Sequence, residues 1–237
     1  MTGLAADTAM VLAAGLGKRM RPLTDDRPKP MVHVAGKPLI DHALDKLAAA
    51  GVARAVVNVH YLPERLEAHM RQRTVPQVTV SDERELLLET GGGMVRAAPL
   101  LPDPFFCVNS DNIWTDGPVD AFRALSAAWD PARMDALLLL VPHAGARNAR
   151  YKGDFELAAD GRLARRVGEH ASYVFTGIQL VAKRLLRAAP EGPFSTNVLW
   201  DRAIGEGRLY GAELTGQWFE VGTPEAIAPT EAALAGA

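Results

Sequence analysis

Short apolar runs alternate with amphipathic stretches over the first 145 or so residues of this 237-residue chain, and that rhythm constrains the fold more than any other feature. Residues 9–13, 53–59, 78–81, 105–109 and 136–141 are apolar runs of strand length. Between them, residues 38–50 place apolar side chains at 39, 40, 43, 44 and 47, a helical stripe that Gly51 ends. Residues 63–72, opened by Pro63, and residues 93–98 and 119–129 also read as helices. Strand, helix, strand in this order predicts a parallel sheet covered on both faces, in a doubly wound α/β layout. After about residue 145 the elements shorten. Residues 150–157, 163–167 and 173–181 read as strands with turns such as Asp160–Gly161 between them, which predicts short antiparallel additions. Residues 183–189, 197–205 and 224–234 read as helices. One domain spanning 1–237 is expected.

Hydrophobic residues make up 48% of the chain, enough for a sizeable core. With 26 basic and 28 acidic residues the net charge is −2, which removes the broad electrostatic case for nucleic acid or an anionic membrane as partner. Cys107 is the single cysteine, so neither an internal disulfide nor a thiolate zinc site is available. No run approaches the roughly 18 apolar residues of a membrane helix. The first ten residues lack a basic leader segment, so a cytoplasmic location is expected. None of the six histidines forms a metal-spaced pair, and His60 is expected to pack or hydrogen-bond at a strand end.

In an open α/β sheet, ligands bind beyond the carboxyl ends of the strands. The first strand is followed by Leu12-Ala13-Ala14-Gly15-Leu16-Gly17-Lys18-Arg19-Met20-Arg21-Pro22-Leu23-Thr24, and then by Pro28-Lys29-Pro30. Two glycines allow a tight turn that exposes backbone N–H groups, and the cations add fixed charge for phosphate. It is not a P-loop, because neither Gly17-Lys18-Arg19 nor Gly36-Lys37-Pro38 supplies the required Gly-Lys-Ser/Thr. Nor is it the dinucleotide fingerprint, because Met20 stands where the third glycine belongs.

Three further segments carry chemistry. Leu88-Glu89-Thr90-Gly91-Gly92-Gly93 precedes a predicted helix, and three glycines in a row would let a flat ligand lie against the main chain. Asp111 follows the strand 105–109 and suits Mg²⁺, which takes one or two carboxylates plus phosphate oxygens; capping the next turn is the lesser alternative. Trp218-Phe219-Glu220-Val221-Gly222-Thr223 places an acid near the carboxyl end, either for the metal or for pairing with a nearby cation.

Together these segments resemble the sugar-1-phosphate nucleotidyltransferases over residues 10 to about 230. The resemblance implies a Rossmann-like sheet of the nucleotide-diphospho-sugar transferase fold, with residues 8–145 as the nucleotide-binding half and 146–237 as the sugar-phosphate half. It implies a nucleoside triphosphate and a sugar 1-phosphate as partners, Mg²⁺ as cofactor, and a monomer or small homo-oligomer. By that resemblance the nucleotide would contact Leu12, Ala13, Ala14, Gly15, Gly17, Lys18, Glu89, Thr90, Gly91 and Gly92. Arg19, Lys29 and Asp111 would be catalytic. Asn109, Asp154, Glu169, Thr176, Gly177 and Asn197 would meet the sugar, although Asp154 also fits a hairpin turn. Asp111 and Glu220 would hold the metal. The chain departs from the family's usual residues with Ser110 for Gly and Glu220 for Asp, which shifts that carboxylate by more than about 1 Å.

Within the family, the chain is most similar to the N-acetylmuramic acid 1-phosphate uridylyltransferases of peptidoglycan recycling. The mannose- and heptose-1-phosphate guanylyltransferases form the neighbouring reading. A non-catalytic nucleotide-sugar sensor is the reading from another class.

Overall fold

Residues 3–147 and 152–236 are described in a computed structural model. Nine strands among them form one sheet. The strands are β1 (Thr8–Leu12), β2 (Arg54–Val59), β3 (Gln77–Asp82), β4 (Phe105–Asn109), β5 (Ala136–Pro142), β6 (Phe155–Leu157), β7 (Leu163–Arg165), β8 (Tyr173–Val181) and β9 (Leu209–Glu213). Their lateral order is β3-β2-β1-β4-β8-β5-β9, and β6 and β7 extend the sheet from the start of β8. β1 runs parallel to β2 and β4, β2 to β3, and β9 to β5. The expected mostly parallel sheet is therefore present. The longest antiparallel strand, however, is no addition at the rim: β8 lies inside the sheet between β4 and β5. Strands from before and after residue 145 thus share one hydrogen-bonded layer.

Among the described residues five helices cover the sheet, α1 (Leu39–Ala50), α2 (Pro63–Met70), α3 (Glu89–Ala97), α4 (Ala121–Ala128) and α5 (Asn197–Gly205), and α6 (Ile227–Ala235) packs beside it with Val34 and Phe219. The stripe Leu39, Ile40, Ala43, Leu44 and Leu47 of α1 is fully buried, as its i, i+3, i+4 spacing requires. Leu44, Leu66 and Phe122 of α1, α2 and α4 pack on one sheet face with Val57 and Phe106. Met94, Leu199 and Ala203 of α3 and α5 pack on the other with Met10 and Phe105. Cys107 is buried, and burial pushes its thiol up to about 12, so it is inert as a nucleophile.

Several boundaries move for identifiable reasons. α4 starts at Ala121 because Asp120 caps it, accepting from the N–H groups of Phe122 (3.1 Å) and Arg123 (3.0 Å). The segment 183–189 forms only a single tight turn, Lys183–Leu186. The predicted strand 150–157 is observed as Phe155–Leu157, with residues 150 and 151 outside the described residues. β9 carries Gly211 between mixed side chains, so its sequence lacks alternation. The strand segments Asn112–Trp114 and Trp218–Glu220 pair antiparallel beside the main sheet and bring Glu220 opposite Asn112. No helix of the described residues is long and apolar enough to cross a membrane.

Candidate active site

The carboxyl ends of β1 and β4 stand side by side, with Leu12 in register with Asn109. Beyond them opens a cavity of about 390 Å³ whose walls include Leu12, Ala13, Ala14, Gly15, Lys29, Glu89, Thr90, Asn109 and Asp111. A second cavity, about 310 Å³, includes Arg19, Asn109, Asp111, Asp154, Arg165, Asn197 and Glu220 in its walls. Asn109 and Asp111 belong to both. The two cavities therefore adjoin at those two side chains.

Lys29 is carried on the short turn Lys29–Met31, between Pro28 and Pro30. Its ammonium donates to Asp111 Oδ2 at 2.6 Å, and both side chains are half-buried. The backbone carbonyl of Asp111 accepts from Val221 N–H at 3.1 Å, which ties the Asp111 segment to the one carrying Glu220. Glu220 Oε1 lies 3.5 Å from Arg19 Nη2, with Arg19 mostly exposed. Each acid thus faces a cation, and both acids line the second cavity. Among the described residues no cluster of three or more His, Cys, Asp or Glu forms. A cation here would rest on two carboxylates and the phosphate oxygens of its substrates, the hard, incomplete oxygen set that suits Mg²⁺. The residues present fit that ion.

The loop after β1 is braced from below. Ala13 N–H donates to Asn58 Oδ1 (2.7 Å), and Asn58 Nδ2 donates to Glu83 Oε1 (2.7 Å). Glu83 Oε2 also accepts from Leu88 N–H at 3.3 Å, just before α3. Asn58 and Glu83 are almost fully buried. One carboxylate therefore links the loop after β1 to the entry of α3. Burial raises the Glu83 pKa, against the hydrogen bonds from Asn58 and Leu88 that lower it. A carboxyl raised on folding binds more protons folded than unfolded. Stability should therefore fall as pH rises from the ordinary value of 4.5 toward the raised one. The stability difference between wild type and Glu83→Gln, from urea melts across that window, should carry this slope. Parallel curves would assign the pH dependence elsewhere.

The glycines of residues 91–93 lie inside α3 rather than in an open loop, and all three are buried. A methyl on Gly91 would sit 2.3 Å from the Phe194 ring, one on Gly92 2.6 Å from the Gly192 carbonyl, and one on Gly93 2.8 Å from Glu83 Oε1. The N–H groups of Gly91 and Gly92 both donate to Phe194 O, at 2.9 and 3.2 Å. These glycines let α3 approach the 192–194 segment and Glu83. That closeness outweighs a helix-propensity cost of about 1 kcal/mol each. Neither Gly91 nor Gly92 lines either of these two cavities; Glu89 and Thr90 line the first.

Other expected positions divide in the same way. Gly17 turns the chain with φ 61° and accepts from Thr24 Oγ1 (2.9 Å). Lys18 is exposed beside it, and neither residue lines a cavity. Asp154 Oδ2 accepts from Phe175 N–H (2.9 Å), so Asp154 fixes the backbone and also faces the second cavity. Thr176 is fully buried and donates to Leu139 O (2.8 Å), away from both cavities. Gly177 passes behind Asn109 and Asn112, where it leaves room for their side chains. Glu169 is largely exposed, 4.0 Å from Lys152, and lines neither cavity. His60 does hydrogen-bond at its strand end, Nδ1 donating to Glu83 O at 2.7 Å. Asn58, Glu83 and Arg165 were missed. Asn58 had a readable signal, a lone amide within the apolar run Val56-Val57-Asn58-Val59.

The Nucleotidyl transferase family model matches residues 8–151, more than half of the chain. The chain belongs to the nucleotidyl transferase family. It is 47% identical over 233 residues to the N-acetylmuramate alpha-1-phosphate uridylyltransferase of Caulobacter vibrioides, covering 96% of each chain. It is 34% identical to the protein of the same name from Neisseria meningitidis serogroup B, covering 91% of this chain and 93% of that one. Among solved structures, a UDP-glucose pyrophosphorylase complexed with UDP-glucose superposes with TM-score 0.82 at 13% identity, covering 98% of this chain and 99% of that one. This last likeness is one of fold. In a nucleotidyl transferase, two cavities that share Asn109 and Asp111 have a direct use, because the reaction joins two anionic substrates.

Proposed function

We propose that this chain transfers a uridylyl group from UTP to N-acetylmuramic acid 1-phosphate, releasing pyrophosphate, in the cytoplasm and in cell-wall recycling. The choice of sugar and base rests on the 47% identity to a uridylyltransferase of that substrate. The geometric support is Asp111, which lines both cavities and accepts from Lys29 on the wall of the first.

A sugar-phosphate oxygen forms a bond to the α-phosphorus of the nucleotide, and the bond from that phosphorus to the oxygen joining it to the β-phosphorus breaks, that oxygen leaving with pyrophosphate. The nucleophile is already an anion, so no proton need be removed. The barrier is the approach of two negative groups, and catalysis is alignment with charge neutralisation. The first cavity takes the nucleotide, with Leu12, Ala13, Ala14 and Gly15 along the phosphates and Glu89 and Thr90 toward the base. Gly17 and Lys18 shape and charge the outer side of that loop. The second cavity takes the sugar, with Asn109, Asp154 and Asn197 facing its hydroxyls. Lys29 holds the sugar phosphate in line, and Arg19 meets the charge that grows on the departing pyrophosphate. Asp111 and Glu220 would hold Mg²⁺, which supplies charge neutralisation between the two phosphates when bound.

A pyrophosphate-release screen tests this reading. UTP, GTP, CTP and dTTP are combined with the 1-phosphates of N-acetylmuramic acid, N-acetylglucosamine, glucose and mannose in the presence of Mg²⁺. UTP with N-acetylmuramic acid 1-phosphate is expected to dominate. Selective turnover of GTP with mannose 1-phosphate would replace the substrate assignment, and no release from any pair would remove the enzyme reading.

A further inference from the structure

The second cavity contains a cation that the phosphoryl chemistry does not use. Arg165, the last residue of β7, lays its guanidinium 4.7 Å over the Phe155 ring and 5.8 Å from that of Trp200. Its Nε donates to Asp201 Oδ1 at 2.7 Å. Its Nη2 donates to Asn197 Oδ1 at 2.9 Å and to Asn197 O at 3.3 Å. No described residue accepts from Nη1. The side chain is one-third exposed (33%) on the cavity wall. A stacked guanidinium held by acceptors on two residues loses little further freedom when it binds an anion.

Neutral sugar hydroxyls need hydrogen bonds but no fixed guanidinium. The other cation that lines this cavity, Arg19 beside Glu220, is already assigned to the departing pyrophosphate. Arg165 instead adjoins Asn197, Asp201 and the Trp200 ring. An anionic substituent on the sugar itself would match it. N-acetylmuramic acid differs from N-acetylglucosamine by a lactyl ether on O3 that ends in a carboxylate.

We propose that Arg165, stacked on Phe155 and Trp200, receives the lactyl carboxylate and sets the preference for N-acetylmuramic acid 1-phosphate over N-acetylglucosamine 1-phosphate. The inference rests on the substrate reading above and extends it to a named specificity residue. A charge-assisted hydrogen bond made by one substrate and unavailable to its analogue discriminates by about 10- to 100-fold.

The test is kcat/KM with UTP for three acceptors: N-acetylmuramic acid 1-phosphate, its lactyl methyl ester, and N-acetylglucosamine 1-phosphate. Wild type, Arg165→Gln and Arg165→Lys are compared. In wild type the ester should fall about 10- to 100-fold below the acid, a measurement that needs no variant to fold. Arg165→Gln should bring acid and ester to within about threefold of each other, and Arg165→Lys should lie between. Equal acid and ester rates in wild type would overturn the role of Arg165 while leaving the substrate reading intact. So would a loss in Arg165→Gln that is equal for all three acceptors. A wild type that prefers N-acetylglucosamine 1-phosphate would instead sink the substrate reading, and this proposal with it.

Discussion

Asp111→Asn should fold as the wild type does and lose turnover by about 10²- to 10³-fold. Asp111 is the carboxylate that both cavities share, and its Oδ2 holds the Lys29 ammonium at 2.6 Å. The amide keeps the shape but removes the charge that would bind Mg²⁺. It also leaves Lys29 facing a neutral group. Stability should change little, because the side chain is one-quarter exposed (26%) and the backbone carbonyl still accepts from Val221 N–H. Steady-state kcat across a Mg²⁺ titration, with a thermal melt alongside, measures both halves. A variant that retains wild-type kcat would remove Asp111 from the reaction. A melting temperature depressed by more than about 10 °C would make it chiefly a structural residue.

Gly177→Ala is the largest expected loss of stability. Gly177 has φ 82°, a conformation that costs an L-residue about 1–2 kcal/mol. An added methyl would lie 2.0 Å from Asn112 Nδ2 and 3.0 Å from both Cβ and Nδ2 of Asn109. Asn112 is almost fully buried, so it has little room to retreat, and overpacking adds about 1–3 kcal/mol. Together the cost is about 2–5 kcal/mol, which lowers Tm by roughly 5–15 °C for a chain of this size. Turnover should fall as well, because Asn109 borders both cavities and is one of the groups pushed. An unchanged melting curve would mean that this close approach is absent in solution.

Gly177 also illustrates how far the residues alone could be read. The motif around it identifies a position in the family's sugar region, but not that its contribution is to leave space. The same holds for Gly91-Gly92-Gly93. Their run is conspicuous in sequence, yet an open loop that exposes N–H groups and a helix pressed against Phe194 and Glu83 call for the same three glycines. Leu12 to Gly15, Lys29, Asp111 and Glu220 reach the cavity walls from segments that carry the family's spacing. Glu169 and Thr176 were assigned by neighbourhood, and the structure turns one outward and buries the other. Arg165 had no local signal at all. Its place depends on Phe155, Trp200, Asn197 and Asp201, up to 36 residues away in the chain.

What the sequence by itself determined is the alternation of strand and helix, the buried stripe of α1, and the segments from which the site is built. These follow from local periodicity and from backbone preferences that act within a few residues. Only the tertiary structure decided that β8 lies inside the sheet, that Asn58 and Glu83 brace the loop after β1, and that the two cavities meet at Asn109 and Asp111. Those outcomes depend on pairings between distant segments, where burial and hydrogen-bond satisfaction are settled jointly by residues that share no local pattern.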